Sequence, residues 1–199
     1  MMFKSFHSLV AISMLTILFG CAGRDFVRPN QEAFKLGQTT YSQVLQQLGQ
    51  PRQEGTLLKN DKNVKSIIYV YATTGGEPLE EGVIPARAMS YYFVNDTLVG
   101  QEFVSSFKAD NSNFDDAKIG SIVKGKTKRA DVAQLMGRPS GSYIFPMVKA
   151  TAGEAVGYTY ATTRGGAFSG FKMFRKSLLL SFNEKDEVSD IEYSSSGNK

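Results

Sequence analysis

An internal repeat is the feature that most constrains how this chain can fold. Residues 37–51 carry glycine, threonine, valine, glycine and proline at spacings that recur at 125–139, with Met136 in the place of Leu48, at an offset of 88 residues without a gap. Residues 69–74 then match 158–163 at an offset of 89, and further matches follow at 90. Because the landmarks recur in the same order, the sequence predicts a tandem duplication of one structural unit.

Each copy has the pattern of helices followed by strands. Thr39 and Thr127 are suited to cap a helix, an apolar stripe follows at helical spacing, and a glycine and a proline end the helix. A shorter helix is expected before each, at 31–36 and 115–123. Strands are expected at 66–73, 88–94 and 97–105 in the first copy and at 155–162, 177–182 and 187–195 in the second. The predicted fold class is therefore α+β, with two tandem units of two helices and a three-stranded antiparallel meander.

The N-terminus has the architecture of a bacterial export signal. Lys4 precedes an apolar run at 8–19, which is shorter than the roughly 20 residues of a membrane-spanning helix. The sequence Leu18-Phe19-Gly20-Cys21 follows, and it resembles the lipobox of bacterial lipoproteins, in which the cysteine is acylated and the chain is cut before it. A plain secretory signal with an incidental cysteine is the alternative.

The lipobox resemblance implies a lipid anchor at Cys21 that includes fatty acyl chains such as palmitate. Ala22 follows the cysteine, where an aspartate would retain a lipoprotein in the inner membrane. The resemblance therefore implies an outer-membrane protein facing the periplasm. The expected segments are a signal peptide (1–20), a tether (21–29), a first unit (30–106), a linker (107–114) and a second unit (115–199).

Composition and residue counts exclude several functional classes. The chain is 42% apolar and 21% charged, which is typical of a globular protein, and its net charge of +4 is small for a nucleic-acid binder. His7, the only histidine, lies in the predicted leader, and acylation would consume the only cysteine, Cys21. Histidine- or thiol-dependent catalysis and metal sites are then excluded. We expect no enzyme activity, no cofactor, no metal ion and no small-molecule substrate.

Two long predicted loops are the candidate partner-binding segments. The loop at 75–85 is acidic and contains Glu77, Glu80 and Glu81, whereas its counterpart at 164–176 is basic and aromatic. The candidates in the second loop are Arg164, Phe168, Phe171 and Phe174. Both loops are longer than a hairpin needs, so they indicate divergence at a binding surface. The alternatives are a solvated acidic loop and phenylalanines of which two extend a strand and face the core.

The repeated helix motif resembles that of the SmpA/OmlA domain family. The motif runs from Gly37 to Pro51 and again from Gly125 to Pro139, with Asp131 replacing the glutamine and Met136 replacing the leucine of the first copy. The family includes the accessory lipoprotein of the outer-membrane β-barrel assembly machine. Its fold is similar to that of secreted β-lactamase inhibitor proteins, which contain two such units.

The resemblance implies a non-enzymatic outer-membrane lipoprotein that binds an envelope protein partner or supports envelope assembly. The alternative is a membrane-tethered inhibitor or sensor-type module that binds a periplasmic or exported hydrolase. In both cases the expected partner is a protein, with membrane attachment through Cys21 and no nucleic acid.

Overall fold

A single antiparallel sheet dominates the structure, a computed structural model that describes residues 23–149, 153–166 and 169–197. Its eight strands follow one another in chain order. They are β1 (Gln53–Lys59), β2 (Lys62–Ala72), β3 (Ala86–Val94), β4 (Thr97–Ser105), β5 (Gly141–Tyr143), β6 (Ala155–Gly166), β7 (Gly170–Phe182) and β8 (Val188–Gly197). The described helices are α1 (Tyr41–Leu48), α2 (Arg129–Met136) and 3-10 turns at Gln31–Ala33, Lys108–Asp110 and Asp116–Ser121.

The predicted α+β class of two helix-helix-three-strand units is wrong, because the protein is predominantly β. The expected first helix of each unit is only a short 3-10 turn, Gln31–Ala33 or Asp116–Ser121. The backbone becomes extended at Phe34 and Ile122, whose side chains are buried in the core. These segments are too short to offset the cost of helix nucleation.

Two strands, β1 and β5, had no counterpart in the prediction. Strand β1 is mostly exposed and polar, so it lacks the apolar alternation that identifies a half-buried strand. Strand β5 has three residues and begins with Gly141. It pairs with both β4 and β6 and so joins the two halves into one sheet.

The two halves make equivalent contacts where each helix segment meets its strands. The amide of Gly37 donates to the carbonyl oxygen of Leu98, and the amide of Gly125 donates to that of Val188, both at 2.8 Å. The sequence offsets of the repeat therefore correspond to the same backbone geometry in each half.

Helix α1 begins one residue later than predicted. Its N-cap is Thr40, whose hydroxyl accepts from the amide of Gln43 at 3.2 Å, while the Gln43 side chain accepts from the amide of Thr40 at 2.8 Å. Thr39, the predicted cap, accepts instead from the amide of Lys35 at 2.8 Å and closes the preceding turn. Gly49 ends the helix with a φ of 77°, as expected for glycine.

Helix α2 shows the same one-residue shift. Its N-cap is Lys128, whose amide donates to the carboxylate of Asp131 at 3.0 Å. Thr127 accepts from the amide of Val123 at 2.8 Å, as Thr39 does in the first half. Gly137 ends the helix with a φ of 81°.

Both helices pack against the same face of the sheet. Val44 of α1 lies in a core cluster with Tyr91, and Val132 of α2 lies in one with Val156 and Leu180. The register places Tyr91, Val156 and Leu180 in one row across the strands, so their side chains share a face.

The opposite face of the sheet carries no helix among the described residues. We call it the open face and define it by Tyr92, Glu102, Tyr143, Thr159 and Arg175. A third, smaller apolar cluster lies on this side and contains no helical residue. Glu102, Tyr143 and Thr159 are buried on this side, whereas Arg175 is exposed.

The segment preceding the first turn is packed against the sheet. Asp25 forms an ion pair of 2.7 Å with Arg87, and Phe26 packs edge-on against Phe103. Arg28 donates to the carbonyl oxygen of Ser140 at 3.3 Å. Residues 25–28 are thus held by contacts to both halves. No helix in the described part of the chain is long and apolar enough to cross a membrane.

Candidate functional site

A cavity of about 350 Å³ lies on the open face. The amide side chain of Asn60, at the tip of the β1–β2 hairpin, donates to the carbonyl oxygen of Pro146 at 2.9 Å. This bond folds the hairpin tip over the sheet, and strands β4 to β7 contribute to the cavity floor. Its lining includes Leu57, Tyr92, Glu102, Tyr143, Met147 and Arg175.

A buried carboxylate lies at the floor of this cavity. Glu102 in β4 is 8% exposed, and its Oε1 accepts a hydrogen bond of 2.6 Å from the hydroxyl of Thr159 in β6. Its Oε2 lies 3.5 Å from Nη2 of Arg175 in β7, whose side chain is 51% exposed. A buried charge is costly unless it is paired and hydrogen-bonded. Glu102 is therefore held by a short hydrogen bond from Thr159, a hydrogen bond with the Tyr143 hydroxyl and a loose ion pair with Arg175.

Two tyrosines beside Glu102 remain neutral at physiological pH. Burial, followed by the neighbouring Glu102 carboxylate, raises the pKa of Tyr143 well above its usual range. The same two causes raise the pKa of Tyr92. Both hydroxyls are therefore hydrogen-bonding groups, and they add no charge to the cavity.

Three glycines leave the space that the Tyr143 ring occupies. A Cβ at Gly100 would lie 2.9 Å from Cδ1 of Tyr143, one at Gly141 2.8 Å from its hydroxyl oxygen, and one at Gly157 2.9 Å from its Cε2. Any side chain at these positions would force the ring to move. The glycines of β4, β5 and β6 thus allow the ring to lie against the sheet beside the Glu102 carboxylate.

An exposed apolar ridge continues from the cavity along β7. We define the ridge as Phe171 and Met173, whose side chains are 63% and 69% exposed. Alternation along the strand places both on the same side as Arg175, so the ridge belongs to the open face. Exposed large apolar side chains next to a charged recess are typical of a contact surface.

The chemistry of the cavity is that of binding groups. It presents a carboxylate, tyrosine and threonine hydroxyls, a guanidinium, an ammonium from Lys59 and apolar walls. His7 and Cys21 lie outside the described residues. No three acidic, histidine or cysteine side chains in the described ranges are grouped so that they could hold a metal ion.

The two predicted binding loops contact each other. Glu80 of the β2–β3 loop forms an ion pair of 2.6 Å with Arg164 of β6, and Arg164 also donates to the carbonyl oxygen of Glu81. The amide of Ile84 donates to the carbonyl oxygen of Thr163 at 2.8 Å, which attaches the loop to β6. The sequence therefore identified charged residues that pair within the chain.

Glu77, the third predicted acidic residue, has a separate partner. Its carboxylate lies 2.6 Å from the ammonium of Lys108, and both side chains are largely exposed. An exposed pair of this kind contributes little to stability.

The predicted aromatic loop at 164–176 is mostly strand. Strand β6 extends to Gly166 and β7 begins at Gly170, so most of the segment is a paired hairpin. Phe174 is 7% exposed on the helix-bearing face, whereas Phe171 is exposed on the open face. Phe168 and Cys21 lie outside the described residues.

The residues of the cavity floor were missed by the sequence reasoning. Glu102 carries the available signal, because it is a charged residue within a predicted strand whose neighbours include Val99 and Phe103. A buried charge at such a position requires partners and indicates a specialised environment. The partners Thr159 and Arg175 could be found only from the register of the second half.

Comparison with known proteins gives little similarity. No protein-family model matches the sequence, and no curated protein is significantly similar to it. The SmpA/OmlA motif therefore remains a resemblance. A crystal structure described as that of a candidate beta-lactamase inhibitor protein from Streptococcus mutans is 12% identical over 78% of this chain and 82% of the other, with a TM-score of 0.38.

Proposed function

We propose that this protein is a protein-binding module that receives its partner on the open face of the sheet. The observation that carries the proposal is the apolar ridge of Phe171 and Met173, which lies beside a cavity lined by tyrosine, arginine and methionine. Arginine and aromatic side chains contribute most of the binding energy at the centres of protein interfaces. A single exposed apolar side chain does not by itself indicate an interface.

The sequence supports a place for this module in the bacterial envelope. The signal-like N-terminus, Cys21 in a lipobox-like context and Ala22 after it favour a lipid-anchored outer-membrane protein that faces the periplasm. Asp25 is only four residues from Cys21 and is paired with Arg87. Since four residues span at most about 14 Å, an anchor at Cys21 would keep the sheet close to the membrane.

Site-specific photo-crosslinking in intact cells tests the proposal. A photoreactive amino acid replaces Met173 on the open face or, as the matched control, Gln134 on the exposed side of α2. We expect one or a few discrete crosslinked proteins from position 173 and none from position 134. Equal background from both positions would contradict a binding role for the open face.

A Cys21→Ala variant tests the proposed lipid anchor and membrane location separately. We expect it to move from the membrane fraction to the soluble envelope fraction and to lose the acyl modification by mass spectrometry. Two results together would contradict the anchor. The variant would stay in the membrane fraction, and the unaltered protein would yield no acylated peptide.

The identity of the crosslinked protein distinguishes the two roles that the sequence left open. Components of an envelope-assembly machine would support an accessory role, whereas a single soluble hydrolase would support a tethered inhibitor or sensor. Both roles use the same face, so the crosslinking experiment serves both.

A further inference from the structure

We propose that the cavity on the open face receives an acidic side chain of the protein partner, held between Lys59 and Arg175. This inference rests on the proposed function and specifies the chemistry of the partner. Its occupant is a carboxylate of a polypeptide, carried on a segment with apolar neighbours.

The charges that an approaching partner meets at the cavity are positive. Lys59 is exposed at the end of β1 and Arg175 is half-exposed in β7, while Glu102 is 8% exposed beneath them. None of the ion pairs between described residues engages Lys59. Lys59 and Arg175 together outweigh the single negative charge of Glu102, so a carboxylate entering this space would meet a net positive charge.

Arg175 retains hydrogen-bonding capacity for a second carboxylate. Its Nη2 lies 3.5 Å from Oε2 of Glu102, longer than the roughly 2.7–2.9 Å of a charge-assisted hydrogen bond. A guanidinium has five N–H donors in a fixed plane. A loose contact with one oxygen leaves most of these donors available to a second carboxylate. Glu102 thus lies beneath the Arg175 guanidinium without engaging most of its donors.

The β1–β2 hairpin places a further cation, Lys62, beside Lys59. Lys59 pairs directly with Lys62 across the hairpin, so two ammonium-bearing side chains emerge on the same side. Like charges directly opposite each other destabilise an antiparallel pair. A partner carboxylate at this position would relieve the repulsion while it binds.

The remaining walls fit the apolar neighbours of such a carboxylate. Leu57 and Met147 border the cavity, and the ridge of Phe171 and Met173 extends from Arg175 along β7. The surface thus combines a basic recess with an apolar margin. That combination favours an acidic residue within an apolar segment over a purely acidic tail.

The test compares charge variants in the photo-crosslinking experiment at position 173. The double variant Lys59→Gln with Arg175→Gln should lower the crosslinked yield about tenfold, and each single variant should lower it less. Glu102→Gln removes the negative charge that competes with an incoming carboxylate for Arg175 and should raise the yield. Lys172→Gln, in the same strand but on the opposite face, is the control and should have no effect.

Two results would overturn the inference while leaving the proposed function intact. One is an unchanged yield from the double variant. The other is a loss with Glu102→Gln and none with Arg175→Gln, which would mean that the cavity binds a cation. If the unaltered chain gives no crosslink at position 173, the proposed function fails and this inference fails with it. Circular dichroism confirms that each variant is folded.

Discussion

Thr159 in β6 donates a 2.6 Å hydrogen bond to the buried carboxylate of Glu102 in β4, across the three-residue strand β5. The donor belongs to the second half of the chain and the acceptor to the first. Arg175, which forms an ion pair with Glu102, also belongs to the second half. The cavity floor is therefore assembled only when the two halves share one sheet.

Replacing Thr159 with valine should destabilise the protein by about 1–3 kcal/mol, because it removes a donor from a buried carboxylate. Urea unfolding followed by circular dichroism measures the change. Thr159→Ser keeps the hydroxyl and should cost less. In a Glu102→Gln background the valine substitution should cost less than it does alone, and equal costs would show that the hydrogen bond does not matter.

Gly157→Ala should destabilise the protein by about 1–3 kcal/mol, because the new Cβ would lie 2.9 Å from the Tyr143 ring. Gly166→Ala is the matched control in the same strand, since no described atom lies within 4 Å of its Cβ position. That change should be neutral or slightly stabilising. Thermal unfolding of both variants decides the point, and similar melting temperatures would argue against the packing account.

The pair of Glu80 and Arg164 should hold the β2–β3 loop locally while contributing less than about 1 kcal/mol to global stability, because both side chains are partly exposed. Glu80→Gln should therefore speed hydrogen exchange at the amide of Ile84, which donates to Thr163. Glu81→Gln serves as the control, because Arg164 contacts the Glu81 carbonyl rather than its carboxylate. Faster exchange in both variants would implicate net charge instead.

Asp116 should make stability depend on pH in the acid range. Hydrogen bonds from Lys176 and then Tyr193 lower the pKa of Asp116 from 3.8 to about 2. A lowered pKa means that the folded state binds the proton less readily than the unfolded state does. Its contribution to stability is therefore complete above pH 3.8 and is lost as pH falls through about 2.

The Asp116→Asn variant should flatten the decline in stability over that acid window. Urea midpoints measured at several pH values give the slope, and Asp61→Asn in the exposed β1–β2 turn is the charge-matched control. Because Asp116 is nearly half-exposed, the change should be smaller than for a fully buried pair. An unaltered slope in Asp116→Asn would contradict the assignment.

Local sequence signals predicted the helix stops and most of the strands. Gly49 and Gly137 end their helices with positive φ, as the sequence predicted. These features depend on neighbouring residues and on periodicity, so a single sequence contains the information.

Features that depend on long-range pairing were not predictable in the same way. The exposed strand β1 and the short strand β5 lack a local pattern, and they are defined by pairing with distant segments. The contact between Glu80 and Arg164 and the cluster around Glu102 arise from the register between the halves. Local propensity carries no information about that register.

A single substitution on the apolar ridge tests the central claim most directly. Met173→Asp places a negative charge on the open face. Gln134→Asp, the control, introduces the same charge on the exposed side of α2. The measurement is the fraction of each variant that captures the partner after chemical crosslinking in intact cells. We expect Met173→Asp to lower that fraction about tenfold and Gln134→Asp to leave it unchanged. Undiminished capture by Met173→Asp would contradict partner binding at the open face.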